Sequence, residues 1–441
     1  MVKLEGRQVA TVALVSEPFI ENAKLTAESA GFPVVQKARL RTSALSNLNP
    51  DEIRRATEPA LDEVIKALTS DVTVEAFVHA APAGEAFEVF EGTSTGSAWD
   101  SMNEAFIEYG WGDGFPLVPP TEQKVVELLK TTRRDPDEVI GILEPGMGMA
   151  TVKKIAINAV MAGCLPRHRP LPILIAAVKA LTDPRMLFRV IACSTGPHAP
   201  MMVINGPIRK EIGLNCEGGA LGPGAKSHTN SVLGRALRLI MMNIGYAYLG
   251  AGDMDTIGSA NKYSMCLGEN EEENPWEPYH VEMGYRREDS AVTIFGVESQ
   301  LEIFDYQSQT PEGILQTFAG TIPCIGSCST RYWLYSERWA DNCLLMSPDH
   351  AAVMAAHGWT KEDVQYYVYE HAKLPARFFK NTVEKDRTRH GNRWVFDADD
   401  STMIPIAGAP DWFRVVVVGM ASGKSSYTTG TGKAITVKIE D

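Results

Sequence analysis

Apolar residues recur along this chain at two spacings, and the spacing is the first guide to its elements. VATVALV, residues 9–15, is a continuous β-rich apolar run and predicts a strand. PFIENAKLTAESAG, residues 18–31, places apolar side chains at helical intervals and stops at Gly31, after which PVVQ, residues 33–36, returns to an extended pattern. Residues 7–36 are therefore expected to form a small strand–helix–strand unit of partly flavodoxin-like character. Ile53, Leu61, Val64, Ile65 and Leu68 predict a further helix from Asp51 to Leu68, preceded by Pro50.

From about Ala80 the composition shifts to AAPAGEAFEVFEGTSTGSAWD, rich in Ala, Gly, Ser and Thr, which marks a boundary between a small unit, residues 1–93, and a larger one, residues 94–441. In the larger part Thr121 is expected to cap a helix carrying Val125, Val126, Leu128 and Leu129. Helices are also expected from Thr151 to Cys164 and from Leu171 to Leu181, the latter stopped by Asp183-Pro184. PMMVIN, SAVTIFGV and FRVVVVG predict strands, so the fold class is α/β, a small unit joined to a larger mixed α/β domain.

Composition narrows the function classes. The chain has 441 residues, 44% hydrophobic and 22% charged, with a formal net charge of -13, which argues against nucleic acid or an anionic membrane surface as partner. The first residues hold only a short apolar run and no small-residue cleavage site, so a cytoplasmic protein is expected. Seven cysteines are too few and too irregular for a disulfide framework. Homo-oligomerisation is expected from the base rate of homodimers and from the methionine-rich stretches MMVIN and LIMMN.

Four stretches bear candidate chemistry. VVVVGMASGKSSYTTG, residues 415–430, looks like a phosphate-binding loop, but Gly419 and Gly423 enclose three residues where such a loop needs four, and the β-branched sequence beyond reads as a turn and strand. Lys424 and Ser425 are left as contacts for a substrate anion. GGALGPGAKSHTNSVLGRALRLIMMNIG, from Gly218, offers a glycine-rich loop ahead of a helix with an apolar face of Leu233, Ala236, Leu237, Ile240 and Ile244. Ser227, Thr229 or Asn230 is the expected cap, and the unpaired N–H groups of the helix start suit an anion. Gly222, Gly224, Lys226, Asn230 and Arg235 are the expected binding residues there, and His228 the acid/base group.

KYSMCLGENEEENPWEPYH, residues 262–280, brings Glu269 and His280 together in a proline-fixed segment, as acid/base groups or hard metal ligands; no close ligand spacing marks a metal site. GTIPCIGSCSTRYW holds Cys324 and Cys328, candidates for a nucleophile or redox thiol beside Arg331, or for two buried small side chains. Cys193, five residues before His198 in ACSTGPHAP, is a second candidate for a thiol and imidazole pairing. No nicotinamide, flavin or nucleotide fingerprint is present.

Taken together, WGDGFPLVPPT, ATVKKIAINAVMAGC, HAPMMVINGP, GGALGPGAKSHTNSVLGRALRL and KYSMCLGENEEENPWEPYH resemble the large bacterial proteins associated with the UGSC-motif (seleno)protein family, over about Gly110 to His280. Residues 7–36 resemble the part of the small UGSC domain that follows its Sec/Cys-Gly-Ser-Cys motif. That motif is not found in the N-terminal unit; the nearest match is Ile325-Gly326-Ser327-Cys328, with isoleucine at the reactive first position. The resemblance implies a shared fold and pocket. The combined expectation is a cytoplasmic enzyme acting on a small anionic substrate, by thiol-dependent redox or lyase chemistry; the alternatives are a ligand-binding or scaffold subunit and a metal-dependent hydrolase or lyase.

Overall fold

The computed structural model describes residues 10–29, 36–42, 49–69, 88–335, 339–383, 385, 388 and 390–440. The N-terminal unit is a parallel pair, β1 (Ala13–Ser16) and β2 (Lys37–Leu40), joined through α1 (Ile20–Ser29). The second strand thus starts at Lys37, just after the expected PVVQ, of which residues 33–35 lie outside the described residues. The helix expected from Asp51 to Leu68 is two, α2 (Pro50–Thr57) and α3 (Leu61–Thr69). Pro59 separates them in a 3-10 turn, because its ring removes a helix hydrogen bond and crowds the preceding carbonyl. The expected domain boundary near Ala80 lies outside the described residues. The small unit touches the larger part through Asn22, whose side-chain amide donates to the carbonyls of Ala251 and Gly252 at 2.9 and 3.2 Å.

The larger part is mixed α/β. After α4 (Thr95–Glu108) and α5 (Glu122–Leu129) comes an antiparallel hairpin, β3 (Val139–Leu143) and β4 (Gly148–Thr151). Thr121 has the extended backbone of a cap ahead of α5 but makes no side-chain cap bond. Helices α6 (Val152–Met161), α7 (Pro170–Leu181) and α8 (His228–Asn243) pack against one another. All of α7 but Lys179 is buried, as an all-apolar helix requires.

The main sheet contains β5 (Ala199–Asn205), β6 (Cys266–Gly268), β7 (Ala291–Phe304), β8 (Asn342–Met346), β11 (Phe413–Val417), β12 (Lys424–Gly430) and β13 (Ile435–Lys438), in the order β11-β8-β12-β7-β5-β6, with β13 pairing the first part of β7. A separate two-stranded pairing joins β9 (Lys373–Pro375) to β10 (Met403–Pro405). The sheet curls into a half-barrel, and its two edges touch where Asn270 N–H donates to the Val417 carbonyl at 2.8 Å.

Strand alternation sorts the side chains onto two faces. Met202, Ile204, Val292 and Ile294 face outward onto α6, α7 and α8. Leu344, Met346, Val415 and Val417 face outward onto Ile314 and Phe318 of α9 (Pro311–Thr321), Met354 of α11 (Pro348–Ala356) and Val364 and Val368 of α12 (Lys361–His371). Met201, Val203, Phe295, Val297, Cys343, Leu345 and Val416 fill the concave side. The remaining labelled helix, α10 (Cys328–Tyr335), packs against β12.

Met201, Met202, Met241 and Met242 are all buried, so the methionine stretches expected to mediate self-association belong to the core. Among the described residues no helix is long and apolar enough to cross a membrane.

Candidate functional site

The residues singled out from sequence fall in four places. The first is the turn from Gly419 to Lys424. Lys424 opens β12 rather than a helix, and the Gly423 N–H donates to the Asp349 carboxylate, so this turn faces an acid and not a phosphate. Lys424 Nζ lies 3.5 Å from Glu302, and the Ser425 hydroxyl is buried against His350 Nδ1 at 2.7 Å. Gly222, Lys424 and Ser425 all line a cavity of ≈ 830 Å³ at the mouth of the half-barrel, together with Glu298 and Glu302. His198 is buried nearby with Nδ1 3.0 Å from the Thr431 hydroxyl, and burial lowers its basicity.

The second place is the interior, at the ends of β5 and β6. Glu269 is fully buried and accepts from Asn205 Nδ2, from Asn274 Nδ2 at 2.8 Å and from the Tyr279 N–H at 2.8 Å, with Lys361 Nζ at 3.9 Å. Lys361 also pairs with Glu282, which burial lifts to about 7. His280 is brought into the same cluster: it is fully buried, its Nδ1 is 4.0 Å from Glu271, and neither ring nitrogen has a hydrogen-bond partner. Glu271 in turn pairs with Arg209 at 2.9 Å, Arg209 with Glu272 at 3.0 Å, and Glu272 with Lys210 at 2.8 Å. The Arg209 hydrogen bond holds Glu272 down at about 2. Among the described residues no three His, Cys, Asp or Glu side chains are grouped to hold a metal ion.

The third place is the loop before α10. Cys324 is exposed there, its carbonyl accepting from the Ser327 and Thr330 hydroxyls, and Cys328 is the first residue of α10; the Cys328 side chain lies outside the described residues. The other thiols are poor nucleophiles at neutral pH: burial pushes Cys164, Cys266 and Cys343 far up, Cys193 to about 11, and Cys216 upward despite Arg209.

The fourth place is the start of α8. The glycine-rich loop ahead of it folds back on itself rather than presenting a row of free amides: Ala220 N–H donates to Glu217 O and Gly222 N–H to Gly219 O. Asn230 does not face a ligand. Its side chain accepts from Asn215 N–H and donates to Asn215 O, at 2.9 and 2.8 Å. Ser227 does not cap α8 either; its hydroxyl accepts from Asn215 Nδ2 and donates to Gly219 O. Thr229 donates to Ile212 O. Gly224, at φ 122°, turns the chain into the 3-10 lead-in Ala225–Ser227 that continues as α8. Lys226 points outward to Glu217 at 2.7 Å, and Arg235 is held by Asp113 through two bonds of 2.6 and 2.8 Å.

His228 is the expected residue that this region does present. It lines a cavity of ≈ 640 Å³ with Arg167, His168, Lys210, Ala225 and Thr229. The reversal between α6 and α7 builds the opposite wall. Pro166 starts a 3-10 turn over Pro166–His168, Arg169 takes a left-handed conformation (φ 41°, ψ 52°), and Pro170 begins α7. That geometry turns Arg167 outward and His168 inward.

His168 is only 1% exposed, and its ring centroid lies 5.3 Å from that of His228. Its Nδ1 accepts the Leu165 N–H at 3.0 Å, which places the proton of the neutral ring on Nε2. Burial, and then the charges of Arg167 and His228, bring its pKa down to about 4. His168 is therefore a neutral N–H donor at pH 7, with no acceptor for that proton among the described residues. Arg167 and His228 likewise make no hydrogen bond or ion pair there. The only carboxylate in the lining, Glu211, is held by Arg169 at 2.7 Å.

Arg167, His168 and Lys210 were not anticipated from sequence. The signal that could have found them is PRHRP, a basic triplet bracketed by prolines. Comparison of the chain with protein-family models, with curated proteins and with solved structures finds no match.

Proposed function

We propose that the protein is an enzyme that holds a small anionic molecule in the pocket at the start of α8 and moves a proton to or from it with His228. The observation that carries this reading is His168: a buried ring whose tautomer is fixed by Leu165 and whose remaining N–H faces a basic pocket without an acceptor. The Nε2 atom opens onto the cavity instead of being sealed in protein, so its partner arrives from solvent, and that place is assigned to the ligand. Arg167 and Lys210 supply charge, and the positive end of α8 adds to it.

His228 fits proton transfer because it is exposed, unpaired among the described residues and beside the fixed donor His168, so the two imidazoles divide the work of holding and transferring. No cysteine lines this pocket. Thiol chemistry, if the resemblance to the UGSC-motif proteins extends to it, belongs to Cys324 and Cys328 elsewhere on the fold. Family membership, cytoplasmic location and self-association are proposals on the sequence alone.

A thermal-shift screen of small carboxylates and phosphates against the wild type, Arg167→Ala and His228→Ala tests the reading. The expected result is stabilisation of the wild type by at least one anion, weakened in Arg167→Ala. His228→Ala should still bind that anion but fail to convert it. Stabilisation that Arg167→Ala leaves unchanged contradicts the assignment.

A further inference from the structure

The donors around this pocket come from three separate segments. Arg167 and His168 approach from the turn before α7, Lys210 from the short helical turn Ile208–Glu211 after β5, and Ala225 and His228 from the start of α8. A planar carboxylate offers two oxygens in one plane and one unit of charge. A phosphate or sulfate offers three or four oxygens directed to different sides and close to two units of charge.

The charges favour the second kind of anion. Arg167 has no acid partner among the described residues, Lys210 is paired with Glu272 at 2.8 Å outside the lining, and the one acid of the lining is neutralised by Arg169. The positive end of a sixteen-residue helix adds to the same field. Because Coulomb energy scales with the ligand charge, a dianion gains about twice what a monoanion gains from these groups. His168 adds a directional N–H that is fixed in the neutral form, so it serves a dianion at neutral pH without competing for a proton. The cavity volume of ≈ 640 Å³ exceeds what a bare oxyanion fills, which leaves room for an organic group.

We infer, resting on the anion-binding reading above, that the ligand of this pocket is a tetrahedral dianion of the phosphate class, either free phosphate or the phosphate group of a small ester.

The test is isothermal titration of the full chain with inorganic phosphate, β-glycerophosphate, sulfate and acetate at neutral pH and constant ionic strength. The expected result is saturable binding of the phosphates and sulfate at least about tenfold tighter than acetate. Arg167→Ala should weaken the tetrahedral anions by about tenfold or more and shrink their advantage over acetate, and Lys226→Ala should change neither. Arg167 is exposed and unpartnered, so that variant is expected to melt with the wild type. Whether phosphate or β-glycerophosphate binds more tightly tells the free ion from the ester. Acetate binding as tightly as phosphate overturns the dianion inference and leaves the anion-binding reading in place. No saturable binding of any of the four overturns both.

Discussion

The interior cluster around Glu269 and the pocket at the start of α8 are joined by Arg209 and Glu272, yet their balance of donors and acceptors is opposite. In the interior the carboxylates are surrounded: Glu269 accepts from Asn205, Asn274 and the Tyr279 N–H, and Glu271 accepts from the Gly206 N–H and Asn205 and pairs with Arg209. In the pocket the donors outnumber the acceptors, and Arg167, His228 and the Nε2–H of His168 have none. A saturated buried cluster holds elements together, whereas donors left over at an open cavity hold something that arrives from solvent. The interior's exceptions are His280, with two unpaired ring nitrogens, and the Oδ1 of Asn205.

The largest effect expected from this contrast is on stability. Glu269→Ala leaves the buried Asn274 amide and Tyr279 N–H without this acceptor and strips Asn205 and Lys361 of one of their two carboxylates, and should cost about 3–5 kcal/mol in denaturant unfolding, the usual penalty for breaking a buried charge cluster. A loss under about 1 kcal/mol would mean that the interior does not depend on saturation. Next in size is Arg167→Ala, which should weaken anion binding by about 1.5–3 kcal/mol, the range for hydrogen bonds to charged groups, with an unchanged melting temperature.

A pH titration of stability separates the regions further. His168 titrates at 6.5 in the unfolded chain but only at about 4 in the fold. The unfolded state therefore binds more protons in that interval, and the contribution of His168 is complete above pH 6.5 and lost as the pH falls toward 4. Glu282 runs the other way, because burial raises it from 4.5 to about 7, so its contribution is complete below pH 4.5 and lost as the pH rises through 7. Comparing pH–stability curves of the wild type, His168→Gln and Glu282→Gln checks both signs; each variant should flatten one slope and leave the other. The smallest effect is Lys226→Ala, expected within about 0.5 kcal/mol in both stability and anion binding, because the Lys226 side chain is exposed and paired with Glu217.

Much of the fold was legible because it follows local periodicity. The apolar run MMVIN became the buried β5, and Leu233, Ala236, Leu237 and Ile240 form the buried face of α8. The length of β7 was not legible, since its outer half beyond Val297 mixes polar and apolar residues of which Ile303 alone is buried, and it takes its register from β12. The glycine loop was read correctly as a turn ahead of a helix, but sequence could not show that Asn215, Ser227 and Asn230 would bind one another and shape it. Lys226 and Arg235 read as ligands because their partners, Glu217 and Asp113, are assigned only by the fold. His168 was missed for the same reason: nothing near it in sequence marks the approach of His228, which arises from packing α6, α7 and α8 together.

The most direct test of the account is a crystal structure with tungstate, whose electron-dense tetrahedral dianion can be located by anomalous scattering. The account predicts one tungstate at the start of α8, within hydrogen-bond distance of His168 Nε2 and Arg167. Tungstate bound instead at the half-barrel mouth beside Lys424, with the α8 pocket empty, would contradict it.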